Sequence, residues 1–230
     1  MVIDVGGTHV KVIAAGQKQA REIASGLKMT ARNMVRAVKT LTRDWSYNAI
    51  SIGYPGPVVH GRPLREPYNL GGGWVGFNFA KAFGFPVKVV NDAAMQALGS
   101  YRGGRMLFLG LGTGLGSAMI VDGELEPMEL AHLPYKKRTY EDYVGLRALK
   151  RFGRKKWERH VFAIVDDLKA ALEPDYVVLG GGNAQKLKRL PPGALLGDNR
   201  NAFTGGFRLW QEKTIRWPAA QKPAARRSRR

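Results

Sequence analysis

The chain opens with two short apolar runs, Val2-Ile3-Asp4-Val5 and Val10-Lys11-Val12-Ile13, on either side of Gly6-Gly7-Thr8. Two β-branched runs about a glycine turn predict a β-hairpin. From Thr30 to Trp45 the period lengthens: Met34, Val35, Val38, Leu41 and Trp45 share one face, and Thr30 is a candidate N-cap. That span reads as a helix. Ala49–Tyr54 reads as a strand stopped by Pro55-Gly56-Pro57. The glycine-rich, aromatic stretch from Leu64 to Phe77 reads as a loop. Val87–Val90 is a strand and Ala93–Tyr101 a short helix after it.

The opening pattern then recurs. Met106–Leu111 reads as a strand, Gly112-Thr113-Gly114-Leu115-Gly116 as a turn, and Ser117–Val121 as the returning strand. Two matched glycine hairpins in one chain suggest two related halves. Tyr140–Phe152 and Lys155–Leu172 read as helices. The second has a buried stripe of Trp157, Val161, Ile164, Val165, Leu168 and Leu172. Asp175–Leu179 is a strand running into Gly180-Gly181-Gly182-Asn183. Strands and helices in this order predict α/β layers. Arg102-Gly103-Gly104-Arg105 marks the junction. The expected division is residues 1–101, 102–217 and a basic tail over 218–230.

Each of the three glycine clusters follows an apolar strand. Glycine lets backbone N–H groups approach an anion closely, and Thr8 and Thr113 add hydroxyl donors. A P-loop or dinucleotide fingerprint must run from strand into helix. Here the first two loops run into β-branched strands, and no Gly-Lys-Ser/Thr follows, so neither is expected. Two hairpins facing each other across a cleft could clamp a phosphate chain; two plain tight turns are the other reading. Asp4 is a carboxylate inside an apolar strand, which is costly unless it is paired or faces a site. It is expected to hold hydrated Mg²⁺, the alternative being capture by neighbouring turn amides. Asn91-Asp92 ends a strand, where α/β sheets open onto their ligand crevice. Asp92 could take a proton from an alcohol attacking phosphorus, or either residue could merely cap the next helix. Glu129, His132 and Glu141 could hydrogen-bond sugar hydroxyls. Their irregular spacing does not suggest a metal set. His9, His60 and His160 read as surface or core residues.

Composition narrows the partners. With 230 residues, 44% hydrophobic and 24% charged, the chain can bury a real core. It has no cysteine, which excludes disulfides and thiol chemistry. No apolar run reaches the roughly 18 residues of a membrane span, and no signal-peptide layout opens the chain. A cytoplasmic location is expected. Net charge is +19, and setting aside Lys222, Arg226, Arg227, Arg229 and Arg230 still leaves +14. A polyanionic partner fits, as does a simple solubility bias. Ten Lys and Arg crowd between Lys136 and Arg159.

Several of these segments resemble one family. Asp4-Val-Gly-Gly-Thr-His-Val-Lys11 resembles the first phosphate motif of the sugar kinase and actin superfamily. Leu111-Gly-Thr-Gly-Leu-Gly-Ser117 resembles the second, and Gly180-Gly-Gly-Asn183 the adenosine-side motif. Asn91-Asp92-Ala93 resembles the catalytic segment of ROK-family sugar kinases. The resemblance implies two actin-like, ribonuclease H-like α/β domains about a cleft. It makes Asp92 the base and Asn91 a sugar contact. Glu129-Leu-Ala-His132 is similar to the family's Glu-x-Gly-His sugar motif, with Ala131 in place of Gly. Glu141 corresponds to a later sugar-contacting Glu, and Asn69 to an Asn in the loop before the catalytic segment. Gly6, Gly7, Thr8, Lys11, Gly112, Thr113, Gly114, Gly181, Gly182 and Asn183 would contact the donor. The likeness extends to about Trp210. Compact length and the missing Cys-x-Cys-Gly segment most resemble polyphosphate glucokinases. No zinc is expected, and the absence of a leading helix-turn-helix argues against the repressor branch. Phosphoryl transfer from ATP or polyphosphate to a hexose such as glucose, with Mg²⁺, by a homodimer is therefore expected. The alternatives are a kinase for another sugar or a non-catalytic sensor that uses its basic surface on nucleic acid. Nucleic acid is not the expected partner.

Overall fold

The computed structural model describes residues 1–211; the anticipated basic tail over 218–230 lies outside them. The first sheet contains β1 (Val2–Val5), β2 (His9–Ile13), β3 (Arg21–Ala24), β4 (Ile50–Tyr54) and, after two short strands β5 (Val58–Val59) and β6 (Arg62–Pro63), β7 (Val87–Asn91). Its order is β3-β2-β1-β4-β7, with β1–β3 antiparallel and β4 and β7 parallel to β1. The second sheet contains β8 (Arg105–Leu111), β9 (Leu115–Val121), β10 (Glu124–Met128) and, beyond the small hairpin β11 (Pro134–Tyr135) and β12 (Arg138–Thr139), β13 (Tyr176–Gly180) and β14 (Ala194–Leu196). Its order, β10-β9-β8-β13-β14, repeats the first in sequence and sense. Each glycine hairpin thus occupies the same place in its sheet.

Helices α1 (Ala31–Leu41) and α2 (Phe79–Phe83) cover one face of the first sheet, around Met34, Val38, Ile52 and Trp74. The helices α4 (Tyr140–Val144), α5 (Leu146–Phe152) and α6 (Arg154–Leu172) serve the second, around Leu109, Trp157 and Ile164. A third core joins the two sheets through α3 (Asp92–Ser100) and α7 (Asn201–Arg208). There Val2 and Val90 meet Met95, Phe108 and Ile120. Burying large apolar side chains of this kind contributes about 1.5–3 kcal/mol each. Among the described residues no helix is long and apolar enough to cross a membrane.

Two helices differ from the pattern that announces them. The helix after Thr30 stops at Leu41: Thr42, at φ −112° and ψ 19°, leaves the helical region, and its hydroxyl joins its N–H on the Val38 carbonyl, at 2.9 Å each. Trp45 is buried beyond that stop, under the Arg21 guanidinium. The stretch 140–152 is two helices, parted at Gly145, whose ψ of 173° is extended. Local periodicity carries no sign of this break, because its cause is a tertiary contact described below.

Candidate active site

The sheet registers assemble the first half of the site. Asp4 lies beside Gly53, and Tyr54 beside Asn91, on parallel strands. The carboxyl ends of β1, β4 and β7 therefore open together. At Gly53 the Met95 side chain packs against the backbone where a Cβ would stand, and the Asp4 carboxylate lies 3.6 Å from the same point. Lys11 pairs across from Asp4 on β2. Among the described residues no protein group donates a hydrogen bond to the Asp4 carboxylate. The nearby Gly6 N–H goes instead to the His9 carbonyl at 2.9 Å. Turn amides therefore do not satisfy it. Burial raises its pKa to about 6, against the lowering charge of Lys11.

Asn91 caps α3. Its Oδ1 accepts from the N–H groups of Ala93 at 3.0 Å and Ala94 at 3.2 Å, and its Nδ2 donates to the Gly56 carbonyl at 3.0 Å. One Nδ2 hydrogen remains for a ligand. Asp92 begins the helix and accepts one short-range bond, from Ala93 N–H at 2.8 Å. Burial foremost, then the negative charges of Asp4 and Glu129, raise its pKa to about 7. Those couplings place Asp4, Asp92 and Glu129 in one electrostatic neighbourhood.

The first glycine loop is anchored by its neighbours. Ser25 Oγ donates to the Gly6 carbonyl at 2.6 Å, and Ser25 N–H to the Thr8 carbonyl at 2.8 Å. Asn69 packs over the loop: a Cβ on Gly7 would lie 3.2 Å from the Asn69 Cβ. The second loop is held from three sides. Gly112 N–H bonds the Gly114 carbonyl at 3.1 Å. Leu146 N–H donates to the carbonyls of Gly112 and Thr113, at 3.0 and 3.1 Å. Gly145 passes so close that a Cβ would meet the Thr113 and Glu141 carbonyls at 2.8 and 3.0 Å. This docking is what parts α4 from α5. Glu141 turns onto the same loop, its carboxylate accepting from Leu115 N–H at 3.2 Å and lying against Gly114. The loop also meets the start of α3: a Cβ on Gly116 would stand 2.7 Å from that of Ala93. The two hairpins therefore converge on the Asp92 end of α3.

The third loop turns through Gly181, whose φ of +80° and closeness to the Leu111 backbone suit only glycine. Asn183 is buried, and its Nδ2 donates to the Gly112 carbonyl at 2.8 Å while its Oδ1 accepts from Lys186 at 3.0 Å. Its side chain ties loop three to loop two, leaving Gly182 on the open side. Glu129 and His132 stand exposed, 3.9 Å apart. Ala131 between them is buried in the second core, so its methyl stays out of the space beside them. Ser117 fixes this segment: its hydroxyl donates to the Met128 carbonyl at 2.9 Å and accepts from Leu130 N–H at 3.1 Å. Ser117 and Gly145 sit only at the ends of the stretches around the second loop and Glu141, and Leu146 lies outside them, so none of the three was legible as a site residue. His160 is buried against Tyr135, Tyr143 and Phe152, away from these groups.

The ROK family pattern matches residues 1–127, a stretch that holds both glycine hairpins and Asn91-Asp92. The chain belongs to the ROK family. A polyphosphate glucokinase of Mycobacterium tuberculosis is 26% identical over 212 residues, covering 83% of this chain and 80% of that protein. The structure of an inorganic polyphosphate/ATP-glucomannokinase from Arthrobacter sp. strain KM superposes with a TM-score of 0.74 at 23% identity, covering 89% of this chain and 94% of that one. A ROK family glucokinase from Streptomyces griseus, solved with glucose and AMPPNP, gives 0.72 at 19% identity over 90% and 97%. The fold is the two-part actin-like α/β fold of these ROK proteins, with Asp92 at its centre.

Proposed function

We propose that this ROK protein is a sugar kinase that transfers a phosphoryl group from ATP or polyphosphate to a hexose hydroxyl, with glucose the first candidate. The observation that supports it most is Asp92. It stands at the meeting point of the two glycine hairpins, relieved of helix capping by Asn91, with its pKa raised to about 7. A base of that pKa is half-ionised near neutrality, where general-base transfer is most effective.

In this reading the sugar lies between Asn69, Asn91, Glu129 and His132, with Glu141 at the edge of the second loop. Its reacting hydroxyl donates to Asp92, which takes the proton as the oxygen attacks phosphorus in line. The hairpin amides of Gly7 and Gly114, the hydroxyls of Thr8 and Thr113, and Lys11 receive the charge of the transferring group, while the Gly6 and Gly112 amides close the two turns. Asp4 suits water-mediated Mg²⁺ because no protein donor occupies its carboxylate and the ion needs few protein ligands. When bound there, Mg²⁺ supplies charge neutralisation on the donor oxygens. Among the described residues no cluster of three or more potential ligands suggests a second metal. The chain is proposed to act as two halves hinged near 101–102 and to work as a homodimer.

Polyphosphate gains support from the exposed cations beside the second loop. Arg147, Lys150, Arg151, Arg154 and Lys155 are exposed on α5 and the start of α6, which begin at the Leu146 contact. The test is to follow glucose 6-phosphate formation with each donor. Silence with both, across a panel of hexoses, would falsify the kinase assignment.

A further inference from the structure

A groove outside the cleft lies between α1 and α2. It has a volume of about 660 Å³ and is lined by Arg32, Arg36, Lys39 and Lys81 around Val35 and Phe77. A second groove of about 440 Å³ shares Lys39 and adds Arg43. No carboxylate lines either one. Arg32, Arg36 and Lys39 follow spacings of four and three residues, so they form one stripe along the exposed face of α1, and Arg43 follows in the turn just after it. Helix α1 contains no acidic residue at all.

Such a stripe works against the isolated helix. Like charges at i,i+4 repel, and a cation in the first turn opposes the helix dipole. None of the four makes an ion pair among the described residues. The nearest acid in sequence, Asp44, is held by both guanidinium nitrogens of Arg21, at 2.5 and 2.7 Å. An anion in the groove would relieve the repulsion.

We infer that this groove binds a linear polyphosphate chain at a site separate from phosphoryl transfer. The aromatic residues decide between polyphosphate and a nucleic acid strand. Single-stranded nucleic acid relies on free aromatic faces for base stacking. Here Phe77 packs on Phe79 at 4.9 Å and Tyr47 on Phe85 at 5.1 Å, while the Arg21 guanidinium covers Trp45. What the groove offers is charge along a line. Its Arg32 end lies two residues from Thr30, which packs against Gly71, close to the Asn69 that covers the first glycine loop. A chain held there is tethered near the cleft and raises the local concentration of phosphate at the catalytic loops.

The choice of polyphosphate rests in part on the proposed donor, so the test reads binding without sugar or turnover. Labelled polyphosphate is titrated into the full chain and into the double variant Arg36→Glu, Lys39→Glu, at several salt concentrations. The new acid at position 36 faces Arg32 at helical spacing, which offsets the Lys39 Nζ bond to the Ala82 carbonyl given up by Lys39→Glu, so the variant is expected to stay folded. Weakening by about tenfold or more, with a shallower salt slope, is the expected result. KM for tripolyphosphate or ATP should stay unchanged while KM for long chains rises. Unchanged polyphosphate affinity in a folded variant overturns the inference. So does a single-stranded oligonucleotide that displaces polyphosphate from the groove at lower concentration. If binding depends on the groove but no donor supports turnover, the inference stands and the kinase reading fails.

Discussion

Asn91 Oδ1 takes the capping bonds that Asp92 would otherwise make. It accepts from Ala93 and Ala94 N–H, 3.0 and 3.2 Å away, and leaves the Asp92 carboxylate with a single local donor. Neighbouring residues thus divide two tasks that either could perform. Asn91→Ala should remove the cap and destabilise the chain by about 1 kcal/mol, read as a lower urea midpoint. Asp92 then becomes the available cap, and turnover should fall by more than the loss of stability explains. Asn91→Asp keeps a capping oxygen and should recover the stability while leaving the sugar KM raised.

The raised carboxylate pKa values set a pH signature. Asp92 titrates near 7 and Asp4 near 6 in the folded chain, against an ordinary value of 3.8. The folded state therefore holds more protons than the unfolded one between about pH 4 and pH 7, and stability falls as pH rises through that window. Asp92→Asn should stabilise the chain by up to about 4 kcal/mol at pH 8, about 1–2 kcal/mol at pH 5, and not at pH 3. Urea titrations at the three values check the order. Turnover should show the opposite limb, declining roughly tenfold per pH unit below the Asp92 pKa as the base is protonated.

Gly145 should act on the donor side alone. A Cβ there drives into the Thr113 and Glu141 carbonyls. Gly145→Ala is expected to raise the donor KM about tenfold or more while leaving the sugar KM within about twofold, because a shifted loop misplaces phosphate donors. Equal loss on both substrates would assign Gly145 a purely structural part.

Ser117 should act on the sugar side. Its hydroxyl bridges Met128 and Leu130, the residues flanking Glu129. Ser117→Ala removes both bonds from a buried position, a loss of about 1–3 kcal/mol. The sugar KM should rise with little change in donor KM.

Much of this architecture was legible in the chain. The glycine hairpins announced themselves because β-branched runs flank Gly-Gly-Thr and Gly-Thr-Gly, a purely local signal. Asp4 was conspicuous as a carboxylate in an apolar strand. Spacing left Asn91 and Asp92 interchangeable, because either side chain can cap; only the bonds from Ala93 and Ala94 N–H to Asn91 Oδ1 assign the task. The break at Gly145 was hidden because its cause is a loop more than thirty residues earlier. The cationic stripe of α1 was present in the sequence, but the apolar face at the same period drew the helix assignment first.

The most direct test compares the parent chain with Asp92→Asn in a coupled assay for sugar phosphate, alongside calorimetric sugar binding. The parent should phosphorylate glucose or another hexose from at least one of the two donors. Asp92→Asn should bind that sugar within about twofold of the parent and lose on the order of 10³-fold in turnover. A folded Asp92→Asn chain that keeps near-parent turnover would contradict Asp92 as the base.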